Sequence, residues 1–211
     1  MIPAKDEWQR ALIYRHGTEF QKRISSSVVA VCGLGGLGSN IAMALARAGI
    51  GKLILIDFDR VDITNLHRQQ YKANQIGLYK TEALMHNLIE INPYLEMQLH
   101  TVCIDETNTK ELLTDADIIC EAFDNPEAKA NLVNFVLEKM PRKYIVAASG
   151  MAGIGSGNTI KTKKLSRRFY LCGDEKSEVS EKSGLLSSRV MLCAAHQAHT
   201  VLRIIAEEFE V

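Results

Sequence analysis

The chain has 211 residues, 46% hydrophobic and 24% charged, with 25 basic and 25 acidic side chains. That suits one globular domain with a substantial core, and a formal charge of zero gives no general pull towards nucleic acid or an anionic membrane. No apolar run spans a bilayer, the opening MIPAKDEWQR lacks a signal-peptide core, and five cysteines without a C-x-x-C fit free thiols in a reducing cytoplasm and no structural zinc.

Residues 5–24, KDEWQRALIYRHGTEFQKRI, read as an amphipathic helix interrupted near Gly17. SVVAVC (27–32) is a continuous apolar run, the pattern of a strand buried on both faces. GLGSNIAMALARAGIG (36–51) predicts a helix closed by glycine, and KLILID (52–57) a second buried strand. A long polar loop follows to Asn74, then a helix at 80–92 stopped before Pro93. EMQLHTVC (96–103) alternates like a strand, TKELLTD (109–115) is a short helix and ADIICEAF (116–123) a strand. PEAKANLVNFVLEKM (126–140) has proline in its first turn, a favoured helical position, and KYIVAAS (143–149) is another strand. The alternation implies a doubly wound, mostly parallel α/β sheet of Rossmann-like form. Beyond Gly150 come a glycine-rich segment, basic antiparallel strands with KTKKLSRR (161–168), a mobile polar loop at 172–187 and a periodic final helix. We therefore expect one domain: an N-terminal helical segment (1–27), a nucleotide-binding core (28–150) and a C-terminal part (151–211).

The chemistry gathers at predicted strand ends. Gly33, Gly35 and Gly38 spell G-x-G-x-x-G between a strand and a helix, with Gly36 extra to the pattern. Such a turn brings backbone N–H groups and a helix N-terminus to a phosphate. Asp57 ends the next strand, where a ribose-binding acid belongs. Asn65, Arg68 and Gln69 cluster in the loop after it, and Lys80 opens the next helix. Arg and Lys suit a triphosphate better than a dinucleotide. Asp124 and Asn125 follow another strand, and a carboxylate beside phosphates is a natural Mg²⁺ ligand. Together these positions favour a magnesium–nucleoside triphosphate site. An NAD-dependent oxidoreductase explains Gly33, Gly35, Gly38 and Asp57, but not Arg68, Lys80 and Asp124–Asn125 together. A non-catalytic nucleotide-binding scaffold is the third reading.

The segments GLGGLGSN, LIDFDRVDITNLHRQ, GLYK and FDN resemble the ThiF/MoeB/HesA family, bacterial relatives of the ubiquitin-activating enzymes, over roughly residues 8–150. The resemblance implies a usually dimeric Rossmann-like enzyme. Such an enzyme uses ATP and Mg²⁺ to adenylylate the C-terminal glycine of a small ubiquitin-like sulfur carrier protein ending in Gly-Gly. It implies ATP contacts at Gly36, Asp57, Thr64–Arg68, Lys80 and Asp124–Asn125, with Asp57 on the ribose and Asp124 on Mg²⁺. Asn65, Arg68, Gln69 and Lys80 would face phosphates or the acyl group. Arg10, with Arg15 as substitute, would reach the ATP of the other subunit. Without zinc-type cysteine pairs, the chain resembles the compact thiamine-pathway branch, whose carrier is ThiS-like. A molybdopterin carrier, a tRNA base or a peptide is the alternative substrate. No nucleic-acid or membrane partner is expected. Cys172, after the basic run and before the polar loop, reads as an ordinary loop-edge thiol or as an accessible, reactive one; in some relatives a cysteine in this region bonds covalently to the carrier. KTKKLSRR reads as a solvated strand edge, the default for a charge run, or as a dock for an acidic carrier surface.

Overall fold

The computed structural model describes residues 2–180 and 183–211. Helix α1 (Lys5–His16) and helix α2 (Thr18–Ser26) meet at Gly17, whose φ of 85° is a conformation that side-chain-bearing residues rarely adopt. The expected helix is thus two helices. Helix α2 is anchored through buried Gln21 and Ile24, whereas no residue of α1 is fully buried. The contact of α1 with the body runs through Trp8, which meets Tyr94 edge-on at 6.5 Å, and through Leu12, whose Cδ1 lies 2.5 Å from the position a Cβ on Gly49 would take.

Strands β1 (Val28–Cys32), β2 (Lys52–Ile56), β3 (Glu96–His100), β4 (Ile118–Glu121), β5 (Tyr144–Ala148), β6 (Lys161–Ser166) and β7 (Phe169–Gly173) form one sheet in the order β3-β2-β1-β4-β5-β7-β6. Every pairing is parallel except β6 with β7. The reversal at the C-terminal end therefore belongs to β6 alone, because β7 runs parallel to β5. The expected polar loop from residue 172 begins two residues later, since Cys172 and Gly173 complete β7. Glu181 and Lys182, within that stretch, lie outside the described residues.

The continuous apolar runs become strands covered on both faces. Val29, Val31, Leu53, Leu55, Cys120 and Val146 share a core with helix α3 (Gly36–Ala48), helix α4 (Lys80–Ile91) and helix α7 (Ser187–Ile205). Ala30, Cys32, Ile54, Ile56, Ile119 and Ile145 pack on the opposite face with helix α5 (Thr109–Leu112) and helix α6 (Pro126–Lys139). Each fully buried Leu, Ile or Val contributes about 1.5–3 kcal/mol, so the two layers dominate stability. Among the described residues no helix is long and apolar enough to cross a membrane.

Register sets the position of the site. Cys32 pairs with Ile56 on one side and Glu121 on the other. β1, β2 and β4 therefore end level, and Gly33, Asp57 and Ala122 leave the sheet along one rim. The chain proceeds to β2 and β3 on one side of β1 and returns to β4 on the other. This is the switch point at which open α/β sheets collect ligands.

Candidate nucleotide site

The glycine turn serves the fold and a ligand with different residues. Gly33 has a φ of 89°, and a Cβ there would lie 2.9 Å from the Ala122 carbonyl oxygen. A Cβ on Gly38 would lie 1.8 Å from the Gly33 carbonyl oxygen. These two are demanded by the chain's own packing. Gly35 is the N-cap of α3 and offers no side-chain cap, so the first N–H groups of the helix remain for a ligand. A Cβ on Gly36 would meet Val190 Cγ1 of α7 at 2.9 Å and Arg68 Cγ at 3.5 Å, so Arg68 and α7 flank the helix start.

Asp57 is gripped by main chain. Its Oδ2 accepts the Leu34 N–H at 2.6 Å and its Oδ1 accepts the Asp59 N–H at 2.7 Å. Burial pushes the Asp57 carboxyl pKa up, while Lys80 and the two N–H donors act to lower it. Lys80 Nζ lies 3.9 Å from Asp57 Oδ2 but donates to Asp59 Oδ2 at 2.7 Å. Lys80 is thus buried and held at the rim between two acids. Asp59 is the residue the sequence reading missed. The signal was present in the D-F-D spacing, which puts both acids at one strand end.

The loop after β2 is folded on itself by two 3-10 turns, Ile63–Asn65 and Ala73–Gln75. Asn65 Oδ1 accepts the Asp62 N–H at 3.0 Å, and Asp62 Oδ1 accepts the Thr64 N–H at 2.8 Å. Arg68 Nη1 donates to the Thr64 carbonyl at 3.0 Å, and no carboxylate pairs with Arg68 among the described residues. Arg68 Nε and Gln69 Oε1 are buried without partners, and the Gly35 Cβ position lies 3.7 Å from Gln69 Nε2. The loop's hydrogen bonding is therefore incomplete beside the helix start.

At the end of β4 the roles of two neighbours separate. Asn125 is the N-cap of α6, its Oδ1 accepting the Ala128 N–H at 2.9 Å. Asp124 is exposed and makes no hydrogen bond among the described residues. No group of three or more His, Cys, Asp or Glu is gathered for a metal among the described residues. An all-protein metal cage is absent there. One carboxylate sharing Mg²⁺ with phosphates is the usual arrangement, and Asp124 fits it. Helix-start N–H groups, unpaired Arg68 and Asp57 at the rim likewise fit a nucleoside triphosphate.

A ThiF family match covers residues 8–211. The chain belongs to the ThiF family. The match extends past the segments that carry the sequence resemblance and includes the C-terminal strands and α7. This ThiF-family chain is 36% identical over 118 residues to adenylyltransferase and sulfurtransferase MOCS3 of Caenorhabditis briggsae, covering 56% of this chain and 29% of that protein. It is 43% identical over 119 residues to ubiquitin-like modifier-activating enzyme 5 of Caenorhabditis elegans, covering 51% and 28%. It is 29% identical over 191 residues to adenylyltransferase and sulfurtransferase UBA4 of Lodderomyces elongisporus, covering 88% and 42%. The chain thus spans less than half the length of these curated relatives. In fold it is similar to E. coli tRNA N6-threonylcarbamoyladenosine dehydratase, TcdA, solved in complex with ATP: TM-score 0.87 and 20% identity, covering 98% of both chains. E. coli MccB aligns with TM-score 0.71 and 21% identity, over 97% of this chain and 65% of that one.

Three further expected features of this ThiF-family chain are placed as follows. Cys172 is fully buried and packed in β7 beside Thr162 (Sγ to Oγ1 3.6 Å) and Thr200 (3.9 Å). Burial pushes its thiol pKa up, although both hydroxyls act to lower it, so the accessible, activated thiol read from sequence is absent. The misreading came from ending β7 too early. Arg10 is exposed on α1 and paired with Asp6 at 2.8 Å. The basic run is partly spent within the chain: Lys163 pairs with Glu175 at 2.5 Å, Lys164 with Glu210 at 3.6 Å, and Arg168 lies 4.6 Å over the Tyr144 ring.

Proposed function

We propose that the protein activates a carboxylate by adenylylation with ATP and Mg²⁺. The carboxylate attacks the α-phosphorus, an acyl-adenylate forms and pyrophosphate leaves. Both reactants are anionic, so the barrier is one of charge and positioning. The N–H groups at the start of α3 and the unpaired Arg68 guanidinium offset phosphate charge. The remaining lone pairs of Asp57 accept ribose hydroxyls, and Asp57 and Asp59 hold Lys80 at the rim. Asp124 holds Mg²⁺, which supplies Lewis-acid neutralisation of the phosphates. The nucleophile is already ionised, so no general base is required. The observation that carries this reading is the level ending of β1, β2 and β4, since the segments bearing Gly36, Asp57 and Asp124 all leave the sheet from that rim in a ThiF-family chain.

For the acyl substrate we favour the C-terminal glycine of a small ubiquitin-like carrier, ThiS-like in thiazole synthesis. The support is identity to relatives named as adenylyltransferases and as a ubiquitin-like modifier-activating enzyme. The whole-length fold match to TcdA supports a second reading, a carboxylate borne by tRNA. A homodimer in which Arg10 of one subunit serves the other's site completes the proposal, in a reducing cytoplasm that suits five free cysteines. The test is ATP–pyrophosphate exchange with purified Gly-Gly carriers and, separately, with tRNA. Exchange stimulated by a carrier supports the first reading and exchange stimulated only by tRNA the second. Absence of ATP binding, with NAD bound instead, overturns both.

A further inference from the structure

Glu121 is the last residue of β4, and its side chain is wholly buried. Its carboxylate is divided between two partners. Oε1 accepts the Phe123 N–H at 2.7 Å, and Oε2 accepts Lys129 Nζ at 2.5 Å from the first turns of α6. Its carbonyl accepts Gln197 Nε2 of α7 at 2.9 Å. A buried ion pair is a poor source of stability, because desolvation offsets most of its attraction and apolar residues of similar volume often serve as well. In some proteins such a pair instead sets the direction of the segments it joins.

Here the direction concerns Asp124. On one side of it Phe123 is held by Glu121; on the other Asn125 is held by its own cap on Ala128. Lys129 then ties the same carboxylate to α6, so strand end, turn and helix start move as one body. The Phe123 ring also lies against Gly33, 3.0 Å from the position a Cβ would take, which couples the turn to the glycine loop. Asp124 alone in this turn has no hydrogen bond among the described residues.

We propose that Glu121 and Lys129 are positioning residues that hold the Asp124 turn in place for a phosphate-bound divalent cation. The inference rests on the magnesium–nucleotide reading of the site. The test compares wild type, Glu121→Gln, Lys129→Met and Lys129→Arg. Mn²⁺ binding in the presence of a non-hydrolysable ATP analogue is followed by paramagnetic resonance of the free ion. Binding of the analogue in EDTA is measured by calorimetry, and melting temperature is recorded alongside. Glu121→Gln and Lys129→Met should each weaken Mn²⁺ binding about 10-fold or more, the range seen when an outer-shell partner of a metal ligand is lost. Analogue binding in EDTA should be unchanged, and Lys129→Arg should retain Mn²⁺ affinity. Wild-type Mn²⁺ affinity in folded Glu121→Gln and Lys129→Met overturns the proposal. So does parallel loss of metal-free analogue binding, which marks a merely structural pair. Should Glu121→Gln not fold, the two Lys129 variants decide by the same criteria. A wild type that binds analogue but no Mn²⁺ overturns the metal reading of Asp124 and the pair's role with it.

Discussion

Asp124 and Cys172 show how far single residues depend on their immediate surroundings. Asp124 is exposed and spends nothing on the fold, so Asp124→Ala should keep the melting temperature and lose Mg²⁺-dependent pyrophosphate exchange by about 100-fold or more, as removal of a key charge-stabilising group does. Circular dichroism and exchange, measured on one preparation, check this; full exchange in a folded variant removes Asp124 from the site. Cys172 has the opposite profile. With no exposure and a raised pKa it is packing, so Cys172→Ser should leave exchange intact and lower stability modestly. A carrier adduct mapped to Cys172 by intact mass and peptide analysis would contradict that. Lys80 shows why residue type was legible and state was not. The lysine is at the expected place, but only the folded chain reveals that Asp59 holds it.

At the scale of elements, a second buried ion pair organises the C-terminal half. Arg189, at the start of α7, donates to the Gly155 and Ser156 carbonyls at 2.6 and 2.8 Å, to Thr159 Oγ1 at 3.0 Å and to Asp174 Oδ2 at 2.6 Å. Burial acts to raise the Asp174 pKa, but the Ser177 and Lys176 N–H groups, the Ser177 hydroxyl and Arg189 hold it down at about 2. A carboxyl whose folded pKa lies below its ordinary value of 3.8 stabilises the fold above that value and loses the contribution as pH falls through about 2. Asp174→Asn should therefore cost about 3 kcal/mol at neutral pH, where it strands a buried arginine. The gap in melting temperature from wild type should narrow below pH 4 and close near pH 2. A gap independent of pH would refute this account. The strands were legible because VVAVC, LILI and IVAA are apolar at every position, and only a two-faced burial explains that. The Arg189–Asp174 link was not legible, since it joins residues from three segments through contacts that leave no period in the sequence. The break at Gly17 was half legible: glycine marked the place, but the failure of α1 to bury any residue fully depends on what the body offers it.

For the whole molecule, the proposed site is complete only when a second subunit supplies Arg10. Arg10→Ala and Lys80→Ala should each be nearly inactive alone. Mixed dimers carry one doubly altered site and one intact site, so re-pairing the two variants should restore pyrophosphate exchange, with heterodimers verified by native mass. Confirmed heterodimers without exchange would exclude a shared site. The sparsely buried α1 gives a separate consequence. Trp8 and Leu12 of α1 are only half-buried, so the helix gains little from the body of its own subunit and opens well below the free energy of global unfolding. In a lone subunit the amides of residues 5–16 should exchange with deuterium far faster than those of β1, which wait for global opening. Docking on a second subunit would slow them, and slow them more as protein concentration rises. In the proposed dimer the exchange rate of this one helix would be a built-in gauge of assembly, readable without substrate and without measuring any activity.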